Sequence, residues 1–146
     1  MALITACCMH ASAQESALPL NQPNYNKPKL FADLPDKMPL RVGDLEGLFN
    51  LPVGKQITAM VANGFPFVGT VISKSDGADT SVKSIVVNSL TRQGATFTFT
   101  RITGKDGTVS YIGRMLSKAN GDALEIAKEG DQYIIRKKNL YDLINE

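Results

Sequence analysis

Ala95-Thr96-Phe97-Thr98-Phe99-Thr100-Arg101 decides the fold of this chain, because apolar and polar side chains alternate from Ala95 to Thr100. A period of two is typical of a β-strand with one buried face and one exposed face. A turn at Gly104-Lys105-Asp106-Gly107 follows, and residues 108–116 return with Tyr111 and Met115 on one face. The sequence therefore predicts an antiparallel hairpin in which Tyr111 is a core aromatic.

The same pattern extends from this hairpin in both directions. Three strands are predicted before it, over residues 57–62, 65–72 and 82–90, and two after it, over 123–128 and 132–137. Turns rich in glycine separate them, at spacings of about 8 to 14 residues. These seven short strands predict a mainly β fold, either a small antiparallel barrel or a sandwich.

Two short helices complete this prediction. Val42, Leu45, Leu48 and Phe49 share one helical face, so residues 42–49 are predicted to be helical. The apolar residues of the tail, Leu140, Leu143 and Ile144, fit a closing helical turn.

Two strands are predicted to lie at the edges of the sheet. Pro66 favours an edge for the second strand, because proline cannot donate to a ladder. The run Arg136-Lys137-Lys138 favours a solvated edge whose charges discourage aggregation. The net charge is only +2, and no exposed aromatics accompany the basic run, so we expect no nucleic-acid partner.

The N-terminal region divides into two segments before the β-domain, which is assigned to residues 41–146. Residues 1–13 combine an apolar run with Ala11-Ser12-Ala13 and are predicted to be a signal peptide cleaved after Ala13. Residues 14–40 carry five prolines and are predicted to form an extended arm. Within it, residues 30–40 are apolar enough to lie along the domain surface, with Phe31 anchored.

The signal peptide has consequences for location and chemistry. No Lys or Arg precedes its apolar run, so we expect a truncated signal whose true start lies upstream. Periplasmic or extracellular export follows; an alternative is a lipid anchor at Cys7, with Ile4-Thr5-Ala6-Cys7 as a lipobox. Every Cys and the only His lie within residues 1–10, so the mature chain would lack both. No later stretch is apolar for long enough to be a membrane span.

No catalytic, cofactor-binding or metal-binding residues are assigned, and the chain is predicted not to be an enzyme. Catalytic pairs or zinc sites built on Cys or His are excluded in the mature chain, and no nucleotide-binding glycine motif occurs. Asp76 and Asp79 are too few ligands for calcium. The carboxylate pairs Asp122 with Glu125 and Glu129 with Asp131 are interpreted as ordinary surface residues, because Asp122 and Asp131 flank turns, where Asp is common.

Several blocks of the sequence resemble the N-terminal, non-catalytic region that precedes the catalytic domain of secreted bacterial reprolysin-type zinc metallopeptidases and related exported proteins. The blocks are residues 30–35, 45–49, 52–54, 67–71, 94–98, 106–114, 121–125 and 138–146. The resemblance implies a propeptide-like module that assists folding of a protease or shields it. No zinc motif follows within the 146 residues, and no Cys follows Cys8 to cap a zinc ion. We therefore expect a gene fragment or a free-standing relative.

Together these features predict a non-catalytic, exported β-domain that binds protein, with a protease domain as one candidate partner. Its contact surface is expected to comprise the edge strands and residues 30–40, because unpaired strand edges recruit extended chains. Two alternatives stay open. One is a free-standing periplasmic or surface domain that binds a small apolar ligand in its interior. The other is a structural accessory domain.

Overall fold

A computed structural model describes residues 24–62, 64–75 and 79–144 of the chain. The described strands are β1 (Lys37–Leu40), β2 (Gln56–Ala62), β3 (Phe65–Lys74), β4 (Val82–Ser89), β5 (Thr96–Thr103), β6 (Val109–Leu116), β7 (Asp122–Glu129) and β8 (Gln132–Asn139). They form one antiparallel sheet in the order β1-β8-β7-β6-β5-β4-β3-β2, curled into a half-barrel. The helical elements are α1 (Gly43–Glu46), a 3₁₀ helix (Gly47–Asn50) and α2 (Leu140–Ile144). The predicted fold class is confirmed.

The meander from β2 to β8 contains the seven strands that the sequence predicts. Its turns are tight; Gly130, for example, has a φ of +60° in the two-residue link between β7 and β8. The predicted helix over residues 42–49 is present as α1 and the 3₁₀ helix. The additional strand is β1, which lies at the end of the segment predicted to be an arm and pairs with β8.

The core lies on the concave, inward side of the curled sheet. Alternate residues of each strand point inward, as the period of two requires. On β5 these are Phe97 and Phe99, and the ring of Phe99 stacks on Phe49 of the 3₁₀ helix at 5.1 Å. Leu45 and Leu48 are buried beside Phe49. The helical segment therefore covers the open side of the half-barrel.

A buried carboxylate fixes residues 30–40 to the sheet. Asp122 is 4% exposed, and it accepts hydrogen bonds from the backbone N–H of Leu30 at 2.6 Å and of Phe31 at 2.9 Å. Arg92 binds both carboxylate oxygens of Asp33, at 2.7 and 2.6 Å. Phe31 is fully buried, which confirms its predicted anchoring. The interpretation of Asp122 as a surface residue is wrong, because the incoming N-terminal segment covers it.

Both predicted edge positions are wrong. Pro66 lies on β3, which has β2 on one side and β4 on the other. The backbone nitrogen of Pro66 points to the β4 side, but the pairing of β3 with β4 starts only at Gly69. No ladder bond is lost there, so proline is tolerated within the sheet. The basic run Arg136-Lys137-Lys138 lies on β8, which β1 covers. Arg136 contacts Glu125 at 2.8 Å, so its charge serves a cross-strand ion pair.

Replacement of Asp122 by alanine is expected to lower the free energy of unfolding by about 2–4 kcal/mol, because two buried N–H groups lose a charged acceptor. Urea unfolding followed by circular dichroism measures this change. Asp131→Ala, at an exposed turn position, is the matched control and should change stability by less than about 0.5 kcal/mol. Equal losses in the two variants would contradict the tethering role of Asp122.

Candidate functional site

The carboxylates considered for catalysis do not form a reactive pair. Asp122 and Glu125 point to opposite sides of β7. Glu129 contacts Lys37 at 2.8 Å, whereas Asp131 is exposed. Neither pair therefore provides two free carboxylates that face each other across a cleft, as glycoside hydrolysis requires.

No metal site is assembled within the part of the chain that the structure describes. Asp79 accepts a hydrogen bond from the backbone N–H of Ser81 at 2.8 Å, and Asp76 lies outside the described residues. In residues 24–62, 64–75 and 79–144, no group of three or more His, Cys, Asp and Glu side chains is placed to hold a metal ion.

A polar cluster connects α1 to the sheet at one end of the inward face. The Tyr111 hydroxyl donates a hydrogen bond to Glu46, and the Tyr111 ring stacks on Phe99 at 5.7 Å. Arg101 Nη1 lies 3.7 Å from Glu46 Oε2. Burial, followed by the hydrogen bond to Glu46 and its negative charge, raises the pKa of Tyr111 to about 12. Tyr111 is therefore protonated at neutral pH and acts as a donor that holds α1, rather than as a base.

The same cluster closes a gap in the sheet. Pairing between β6 and β7 ends at Gly113 and Ile126, so the first residues of β6 separate from β7. In that gap, the backbone N–H of Tyr111 donates to the Tyr133 hydroxyl at 3.1 Å. The two tyrosine rings meet edge to face at 5.5 Å. The packing of Tyr111 against the core confirms its predicted position on the buried face.

The interior of the half-barrel is filled by side chains. The space lined by Val61, Phe65, Phe97, Met115 and Ile135, among others, measures about 10 Å³. This is well below the volume of about 300 Å³ at which ligand pockets begin. An apolar ligand among these inward side chains, the first alternative from the sequence, therefore has no room.

The free edge of β2 carries unpaired backbone groups. In an antiparallel ladder, the N–H and C=O of successive residues point alternately to the two neighbouring sides. The bond from Val71 N to Lys55 O at 2.9 Å shows that Lys55 faces β3. By this alternation Ile57 and Ala59 also face β3, whereas Thr58 and Met60 face away from it. No described strand pairs with that side of β2.

The free edge of β1 is different. The bond from Lys137 N to Asp36 O at 2.9 Å shows that Asp36 faces β8, so Lys37 and Pro39 face away from the sheet. Pro39 has no N–H, and β1 has only four residues. A short edge that contains proline is poorly suited to pair with another chain. The β2 edge is therefore the candidate functional site.

A cleft lies beside this site. β1 and β2 are at opposite ends of the sheet order, and the curl brings them near each other without a ladder between them. The cleft between them measures about 300 Å³ and is lined by Pro39, Arg41, Asp44, Met60, Val61 and Ala62. Met60 is 54% exposed at its rim. The cleft is open space beside the Met60 end of β2, and β1 and α1 both approach β2 closely.

In comparisons with known proteins, no family model, curated protein or solved structure matches the chain. The resemblance to the peptidase N-terminal region therefore stays a prediction. Within the described residues, no helix is both long enough and apolar enough to cross a bilayer.

The raised pKa of Tyr111 predicts a pH dependence of stability. A pKa of about 12 in the folded protein, against 10.0 ordinarily, means that the folded state holds its proton more tightly. The resulting stabilisation is complete below pH 10 and is lost as the pH rises towards 12. In urea unfolding across this interval, Tyr111→Phe should show a shallower fall in stability than the wild type.

Glu46→Gln provides the matched comparison. This variant keeps an oxygen acceptor for the Tyr111 hydroxyl but removes the carboxylate charge that opposes ionisation. Its stability should fall with a slope between those of the wild type and Tyr111→Phe. Equal slopes for Glu46→Gln and the wild type would show that Tyr111 is not coupled to Glu46. Equal slopes for Tyr111→Phe and the wild type would contradict the raised pKa of Tyr111.

Proposed function

We propose that this chain is a non-catalytic, protein-binding module that captures an extended segment of a partner chain along the free edge of β2. The observation that carries the proposal is the unpaired N–H and C=O of Thr58 and Met60 on a seven-residue strand. Main-chain hydrogen bonds to such an edge supply affinity in β-strand addition, and pockets for alternate side chains supply specificity.

The composition of β2 supports this function. Its sequence, Gln-Ile-Thr-Ala-Met-Val-Ala, contains neither a charged residue nor a proline. Proteins that must keep an edge unpaired usually place such residues on it. The other edge of this sheet, β1, follows that rule. The backbone groups of Lys37 and Pro39 lie on its free side. β2 therefore lacks the charged residues and prolines that would prevent another strand from pairing with it.

Apolar side chains beside the edge offer contacts to the partner. Met60 pairs with Pro66 on β3. Two residues further along β3, Val68 O accepts a hydrogen bond from the backbone N–H of Leu90 at 2.8 Å, which places Leu90 near Met60 on the same face of the sheet. Met60 and Leu90 are 54% and 53% exposed. An added strand would place alternate side chains on this outward apolar surface and the others towards the cleft between β1 and β2.

The proposed contact surface leaves out residues 30–40, which the sequence suggested as part of it. Phe31, Met38 and Leu40 are buried, and the backbone of Leu30 is bound to Asp122. Their apolar side chains stabilise the fold, so the proposed contact surface is confined to β2 and its neighbours.

Export and the propeptide role belong to the same proposal. The predicted signal peptide, residues 1–13, and the alternative lipid anchor at Cys7 lie outside the described residues. A periplasmic or extracellular partner is consistent with both. The resemblance makes a zinc metallopeptidase domain one specific partner to test. A purely structural accessory role would leave the β2 edge without a binding function.

Thr58→Pro tests the proposal directly. The N–H of Thr58 faces the free edge, so its loss removes no hydrogen bond within the sheet but blocks an added strand. Probes are peptides selected from a random display library on the wild type, together with a reprolysin-type catalytic domain. Binding should weaken at least about tenfold, or about 1.4 kcal/mol, in calorimetric titration.

Two controls separate edge pairing from other effects. Thr58→Val keeps the backbone N–H and should bind as the wild type does. Ala59→Pro removes an N–H that bonds to β3 and should destabilise the fold itself. In the wild type, hydrogen exchange at the amides of Thr58 and Met60 should slow when peptide binds. Binders that leave these amides unprotected, or that bind Thr58→Pro equally, would refute the proposal, as would selection of no binder.

A further inference from the structure

A second concave surface lies on the outward face of the sheet, away from the β2 edge. It is a groove of about 900 Å³ over β5, β6 and β7. Thr96, Thr98 and Thr100 of β5 form one wall, opposite Leu116, Arg114 and Ile112 of β6. The four residue steps from Thr96 to Thr100 give it a length of about 14 Å. The turn after β6, at Ser117, Lys118 and Ala119, closes one end.

The groove has an apolar floor with a charged centre. Ile112 is 54% exposed and Leu116 is partly buried, one on each side of Arg114 along β6. The threonine methyl groups opposite add apolar surface. The surface that the groove exposes is mostly apolar, and three charged side chains, Arg114, Lys118 and Glu125, line it. Apolar surface with a few placed polar groups is typical of small-molecule sites.

The Arg114 guanidinium lies in a row of charges that crosses the sheet. Register places Arg114 opposite Glu125 on β7, and Glu125 opposite Arg136 on β8. Glu125 contacts Arg136 at 2.8 Å but Arg114 only at 3.8 Å. Two guanidinium groups share one carboxylate, which leaves one positive charge uncompensated.

Arg114 is therefore available to a ligand. Its side chain is 48% exposed, and it donates no hydrogen bond to any residue in the described ranges. The planar guanidinium matches the geometry of a carboxylate, with which it forms two parallel hydrogen bonds. A second cation, Lys118, lies in the turn that closes one end of the groove, so the lining carries two positive side chains and the single carboxylate of Glu125.

We propose that this groove binds an amphipathic carboxylate, an apolar chain that carries one carboxylate group. The carboxylate pairs with Arg114, and the chain lies along the threonine wall over Ile112 or Leu116. The site is separate from the β2 edge, because β3 and β4 lie between them. It is also separate from the interior, where the sequence placed its alternative ligand. The proposal does not depend on the protein-binding function.

Decanoate is the probe, and decanol, which has the same chain without the charge, is its matched ligand control. Isothermal titration with the full chain measures affinity, and methyl NMR locates the site. We expect decanoate to shift the methyl signals of Thr98 and Ile112. Decanol should bind at least tenfold more weakly. A peptide with an apolar C-terminal residue distinguishes a peptide carboxylate from a fatty-acid carboxylate as the preferred source.

Arg114→Gln should weaken decanoate binding at least tenfold, whereas decanol binding should be unchanged. Lys105→Gln, which removes the same charge at an exposed turn residue outside the groove, should leave decanoate binding unchanged. Thr98→Phe fills the groove and should abolish binding of both probes. Equal affinity of Arg114→Gln and the wild type, shifts confined to residues outside the groove, or no decanoate binding would each overturn the proposal.

Discussion

An open, curled sheet exposes its inward face unless another part of the chain covers it, and this requirement shapes the molecule. The inward aromatic side chains of β3 and β5, with Tyr111 and Tyr133 of β6 and β8, would meet water if the sheet stood alone. The segment Gly43–Asn50 supplies the cover, with Phe49 stacked on Phe99 and Tyr111 bonded to Glu46. Burial of this apolar surface is the main driving force for folding.

The covering segment Gly43–Asn50 can stay on the sheet only if the residues before it, from Leu30 onward, are also held in place. Asp122 and Arg92 do this, because they bind Leu30, Phe31 and Asp33 and so direct the chain into β1 beside β8. Placing β1 there covers the basic strand and leaves β2 as the long unpaired edge. The candidate binding site is thus a consequence of how the core is closed.

The sequence predicts the local features of this fold and misses those that depend on strand order. The alternation in β5 and the turn glycines are local, so all seven meander strands and the segment 42–49 are predicted. Proline and runs of basic residues favour sheet edges on average, which is why Pro66 and Arg136–Lys138 predict edges. Edge position, however, depends on which strands become neighbours. β1 was missed because four residues with Pro39 carry no strand pattern. Asp122 becomes buried only when residues 30–31 fold over it.

The candidate sites were predicted to different extents for the same reason. Any open β fold has unpaired edges, so the sequence can predict that an edge is a contact surface. Only the alternation of the backbone in the folded sheet identifies Thr58 and Met60 as the residues with unpaired N–H and C=O groups. The charge on Arg114 is visible in the sequence, whereas its availability is not. It depends on Glu125 meeting Arg136 across the next strand pair, at 2.8 Å, more closely than it meets Arg114. Cross-strand register alone can therefore leave an outward-facing charge without a close partner, and no motif along the chain marks it.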